Sequence, residues 1–124
     1  MTLEEFDRYC QSLAATTHVV QWGGASVWKV GGKIFALYSR PKQGEPDGAI
    51  SFKCSHMLYE VLAGEAGYRP APYLARAKWI QAINANGFAD EILKGHIDVA
   101  HREILAKLTK KHAGSLVSLT ATAT

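Results

Sequence analysis

Apolar positions in this chain follow two rhythms, and the switches between them mark its elements. Leu3, Phe6, Tyr9, Cys10 and Leu13 recur at helical spacing, which predicts a helix over residues 3–14. Thr2 with Glu5 three residues on is the capping-box pattern, and the early acids suit the positive end of a helix dipole. From Thr17 to Trp22 the residues turn β-branched and predict a strand. Gly23-Gly24 then leads into Ala25–Val30, and Gly31-Gly32 into Lys33–Ser39. A glycine pair between apolar runs is a hairpin signal, because glycine accepts the positive φ of a two-residue turn. Pairing outward from Gly31-Gly32 sets Val30 opposite Lys33, Trp28 opposite Phe35 and Ser26 opposite Leu37. Trp28 and Phe35 then make one face strongly apolar. Val27, Lys29, Ile34, Ala36, Tyr38 and Arg40 fall on the other.

The stretch from Arg40 to Gly48 has two prolines, two glycines and mixed charge, which is loop chemistry. In Ala49–Cys54 the apolar Ile50, Phe52 and Cys54 alternate with Ser51 and Lys53, a further strand. Ser55 caps a short helix over His56–Ala63, with Met57, Leu58, Val61 and Leu62 as its expected buried side. Pro70 and Pro72 favour an extended passage over regular pairing in residues 68–77. Residues 78–83 fit both a strand and a short helical piece, and the strand is preferred. After a turn at Asn84–Gly87, a long helix runs from Asp90 to Lys111, with Leu93, Ile97, Ala100, Ile104 and Leu108 as its packing stripe. The order is α-β-β-β-β-α-β-α. It predicts an α+β fold, a two-layer sandwich with an antiparallel sheet of about five strands and helices on one face. Residues 1–113 form one domain in this reading, and the small, uncharged residues 114–124 a mobile or loosely docked tail.

Composition narrows the function classes. A chain of 124 residues with 48% hydrophobic content supports a single domain with a real core. The formal charge of +3 is mild. Its distribution is uneven, since residues 24–53 carry Lys29, Lys33, Arg40, Lys42 and Lys53 against only Glu45 and Asp47. Cys10 and Cys54 lack a CxxC partner and a secretory signal, so they read as reduced, buried thiols and a zinc ribbon is excluded. No signal peptide or transmembrane run is visible, which points to a soluble cytoplasmic protein without membrane contact. His96 and His101 are five apart and do not share a helix face as zinc-binding pairs do, while Asp98 and His101 are spaced for a surface ion pair. No serine elbow, phosphate loop or dinucleotide fingerprint is present, so neither enzyme activity nor a metal or cofactor is expected.

Two groups of residues remain as candidate sites. The first is the face opposite Trp28, where Lys29, Arg40 and Lys53 would lie together, with Tyr38 and Ser51 among them and Lys33 and Lys42 at the turns. Cations so placed can neutralise phosphates, the sequence-independent part of nucleic-acid binding. They would equally decorate a solvated sheet and blunt its edges. The second runs from Tyr68 and Arg69 through Tyr73, Arg76, Lys78 and Trp79. Aromatics interleaved with cations can stack bases and hold a single strand; Tyr73 and Trp79 can instead be core residues.

Trp22-Gly23, the run Val27-Trp28-Lys29-Val30-Gly31-Gly32-Lys33-Ile34-Phe35-Ala36, then Ser51-Phe52-Lys53-Cys54, then Pro72-Tyr73-Leu74 leading into Lys78-Trp79, resemble the MmcQ/YjbR family of small bacterial proteins. The resemblance covers nearly the whole of residues 2–112. It implies a two-layer α/β fold like that of type III secretion chaperones, also compared with the frataxin-like CyaY fold. It further implies the family's label of a predicted double-wing DNA-binding protein, with no catalytic residues to carry across. The leading expectation is therefore a non-enzymatic DNA-binding protein that contacts phosphates through Lys29, Lys33, Arg40, Lys42, Lys53, Arg76 and Lys78. The alternative is a protein- or peptide-binding, chaperone-like module. A mapped surface decides between them: a continuous positive face favours the first, an exposed apolar patch the second.

Overall fold

A computed structural model describes residues 1–43, 47–72, 74 and 77–111, with side chains as far as residue 108. The expected tail beyond residue 113 lies outside the described residues. Helix α1, Leu3–Ser12, starts on the anticipated capping box. The Thr2 hydroxyl accepts from the Glu5 amide at 3.2 Å, and the Glu5 carboxylate accepts from the Thr2 amide at 2.8 Å. Four strands follow: β1 Thr16–Gln21, β2 Ala25–Val30, β3 Lys33–Ser39 and β4 Ala49–Lys53. Helix α2, His56–Leu62, is capped by the Ser55 hydroxyl. Strands β5, Tyr68–Pro70, and β6, Trp79–Ala82, precede a 3₁₀ turn at Ala85–Gly87 and helix α3, Asp90–Lys111. The sheet runs β1-β2-β3-β4-β6-β5, and every pairing is antiparallel.

The α+β class and the element order stand as read, with one strand more. Residues 68–70 pair with β6 although Pro70 was expected to prevent regular pairing. β5 is the sheet's edge, where a proline that cannot donate to a ladder does least harm.

All three helices pack on one face. Phe6 and Cys10 of α1, Leu62 of α2 and the expected stripe of α3 meet the sheet residues Trp28, Phe35, Ile50, Phe52 and Ile80 there. In α2 the buried side is narrower than expected. Leu62 is buried and Leu58 and Tyr59 pack against the core, but Met57 and Val61 face solvent. A helix this short presents one strip to the core, and residues one position out of phase rotate away from it.

The hairpin register departs from simple outward pairing. Val30 faces Lys33 and Lys29 faces Ile34, but Trp28 then faces Ala36 and Ser26 faces Tyr38. Phe35 is thus the extra residue of a β-bulge. Phe35, Ala36 and Tyr38 all join the helix-side core as a result. The pairs Trp28–Phe35 and Ser26–Leu37, and the placing of Ala36 and Tyr38 on the outer face, are corrected accordingly.

The second face is not a bare plane of lysines. Ala25, Val27, Leu37 and Trp79 form a small core of their own with Ala71, and Leu74 packs against it. Ala71 and Leu74, from between β5 and β6, therefore lie on this face, and Trp79 is a core residue. Both cysteines are free and buried, as expected. Burial pushes the Cys54 thiol up to about 11 and the Cys10 thiol higher still.

Candidate functional site

Parity along the strands decides what lies on the second face. Ile50 and Phe52 point to the helices, so Ser51 points away from them, and its cross-strand partner Gln81 does the same. Gln81 pairs in turn with Arg69. These three make a row across the sheet: Arg69 Nε donates to Gln81 Oε1 at 2.7 Å, and Gln81 Nε2 donates to Ser51 Oγ at 3.5 Å. Ser51 and Gln81 are buried. A guanidinium has five N–H donors, and the bond to Gln81 engages one of them while fixing the side chain.

That polar row lies in the lining of a cleft of about 760 Å³. Leu37, Pro72 and Leu74 supply apolar wall, and Trp22, Arg40 and Lys42 come from the far ends of β1 and β3. Arg40 Nε donates to the Gly24 carbonyl at 3.1 Å, and a Cβ on Gly24 would come within 3.2 Å of that nitrogen. The arginine therefore lies across the turn that carries Trp22. Trp22 has φ 53, and Gly23 and Gly24 continue in positive φ. Trp22 is 60% exposed, whereas Trp28 and Trp79 are buried. Among the described residues, the lining holds Arg40, Lys42 and Arg69 and no carboxylate.

The structure divides the cations expected on one face. Arg40 and Lys42 line the cleft. Lys29 shares its face by parity but lies opposite Ile34, near the Gly31-Gly32 turn, and Lys33 is exposed at that turn. Strand rise puts roughly 20 Å between Ile34 and Arg40. Lys53 sits at the same end as Lys29, where its ammonium donates to the carbonyls of Cys54 and Ala77. Burial pulls the Lys53 pKa below the ordinary lysine value, and the charges of Lys107 and Lys78 add to that against Glu103. Lys78 holds its Nζ 4.9 Å from the centre of the Tyr59 ring. Arg76 and Tyr73 lie outside the described residues. Ser51 was expected on this face, whereas Trp22 and Gln81 were missed as site residues. The one local signal was a tryptophan beside a Gly-Gly turn, where an apolar side chain has little to pack on.

Two other clusters are held by internal hydrogen bonds. Asp98 accepts from the Tyr9 hydroxyl, and His101 Nε2 lies 2.8 Å from the Ala14 carbonyl, so the expected Asp98–His101 ion pair is replaced by two separate contacts. Ser26 lies between Asp7 and His18, but its hydroxyl donates to the Asp7 carboxylate at 2.6 Å, with His18 Nε2 at 2.7 Å on its other side. A nucleophilic serine gives its proton to the imidazole. Here the hydroxyl donates its hydrogen bond to the carboxylate instead. Among the described residues no group of three or more metal-capable side chains comes together, and no helix is long and apolar enough to cross a membrane.

Fold and cleft together define the class: a small α+β protein with helices on one face of an antiparallel sheet and a basic cleft on the other. The chain belongs to the YjbR family, whose family model matches residues 11–103, in keeping with the resemblance read from its residues. The crystal structure of Deinococcus radiodurans protein DR2400, a domain of the family DUF419, has the same fold. It superposes with a TM-score of 0.70 at 19% identity, covering 90% of this chain and 80% of that one. No curated protein matches the chain.

Proposed function

We propose that this protein is a non-enzymatic nucleic-acid-binding protein that meets phosphates at the cleft on the second face of its sheet. The observation that carries the reading is the charge of the described lining, which holds Arg40, Lys42 and Arg69 with no carboxylate. Lys29, Lys33, Lys53 and Lys78 at the opposite end of the sheet extend the positive surface to a second area. Two buried thiols suit the reducing interior of a bacterial cell, and the cytoplasm is the proposed compartment. Leu37, Pro72 and Leu74 in the cleft, with Met57 and Val61 exposed on α2, favour a chaperone-like peptide-binding module as the second reading.

Fluorescence anisotropy with labelled DNA at two salt concentrations separates the two. DNA binding is expected in the non-specific range of about 10⁻⁴–10⁻⁶ M. Arg40→Gln with Lys42→Gln changes only exposed side chains and should lower the slope of log K against log salt by about two. Absence of any binding at low salt would leave the peptide reading in place.

A further inference from the structure

The cleft has a feature that phosphate contacts alone do not use. Trp22 is largely exposed at its rim on a backbone in the left-handed region, where a bulky side chain is disfavoured. The other two tryptophans pack into cores. An indole kept out of the core, on a strained turn, beside an arginine that crosses that turn, is placed to stack on something flat that carries negative charge.

Shape limits what that is. A cleft of about 760 Å³ suits one small-molecule-sized unit. An intact duplex is a convex rod with its bases stacked inside, and it cannot lower a base into such a cleft without unstacking it. A single strand presents its bases already free, and aromatic platforms beside cationic grooves accept them with little regard to sequence. The lining matches that division. Leu37, Pro72 and Leu74 offer apolar wall to a base, and Arg40 and Arg69 offer guanidinium groups to a phosphate.

We infer that the cleft takes one unpaired nucleotide, its base against Trp22 and the apolar wall and its phosphate at Arg40 and Arg69, so that this protein holds single-stranded rather than duplex nucleic acid. The inference rests on the nucleic-acid reading above and names the form of its ligand.

The test uses the full chain at low salt with labelled oligothymidylate, labelled oligouridylate and a duplex of equal length, followed by anisotropy. Thymidine monophosphate and inorganic phosphate are titrated against tryptophan emission. Either single strand should bind at least tenfold tighter than the duplex and quench the emission. Trp22→Ala should abolish the quench and weaken single-strand binding about tenfold, with duplex affinity and thermal midpoint unchanged. Arg40→Gln should weaken both. Equal affinity for single strand and duplex, with Trp22→Ala altering neither, would overturn this inference while the nucleic-acid reading stands. Failure of every polymer to bind would overturn both. Quenching by thymidine monophosphate with no polymer bound would assign the cleft to free nucleotides and overturn the single-strand form.

Discussion

Trp28 is secured at both ends of its side chain. Its rings belong to the helix-side core, and its Nε1 donates to Asp7 at 2.9 Å. Truncation to alanine should therefore cost about 3–5 kcal/mol, read as a fall in the denaturant midpoint. His96 is a subtler case. Its ring stacks on Phe52 at a centroid distance of 4.6 Å, and its Nε2 lies 2.8 Å from the Tyr68 hydroxyl. Burial lowers its pKa below the ordinary histidine value of 6.5, so the fold favours the neutral ring. The unfolded chain binds the extra proton first as pH falls. Its contribution to stability is whole above about pH 6.5 and is lost as pH drops toward the folded pKa. A thermal midpoint that declines from pH 7.5 to pH 5 more steeply in the wild type than in His96→Gln would confirm it. Little of this was visible in the sequence. Spacing along α3 suggested Asp98 as the partner of His101, because spacing sees one helix and not the α1 side chains packed beside it.

Elements were more legible than residues. Capping, glycine pairs and the α3 stripe are local signals, and the helices and every described strand but β5 were located to within a residue or two. Strand pairing across the bulge was not local. Outward counting from Gly31-Gly32 assumes one residue opposite one, and a bulge breaks that count without a marker in composition. Gly48 is another position set by a distant neighbour. A Cβ there would stand 2.5 Å from Cζ and the hydroxyl oxygen of buried Tyr38, whose ring also packs on Phe6. Gly48→Ala should thus destabilise by about 1–3 kcal/mol through overpacking. A urea midpoint equal to that of the wild type would show that the loop before β4 yields instead.

For the molecule as a whole, strand order is what the chain hides best. Trp22, Arg40, Arg69 and Gln81 sit on four separate segments, and their convergence depends on β6 lying between β4 and β5. Nothing periodic in the sequence specifies that insertion. The cations were found because charge can be counted, but their division between two ends of the sheet follows from the direction in which each strand runs. The paired losses expected for Arg40→Gln with Lys42→Gln therefore report on one end alone.

The bulge at Phe35 also makes the hairpin tolerant of a lost codon. Deleting Ala36 would bring Phe35 opposite Trp28 with one residue facing one throughout, while Leu37 and Tyr38 keep their present partners and faces. The variant should fold, with a far-UV spectrum like that of the wild type and a modest loss of stability. Deleting Ser51 from β4, where no spare residue exists, would instead turn one end of that strand inside out, sending Ile50 or Phe52 away from the core. Soluble yield of the two deletions, side by side, measures how far the sheet's reading frame is buffered at one strand and rigid at its neighbour.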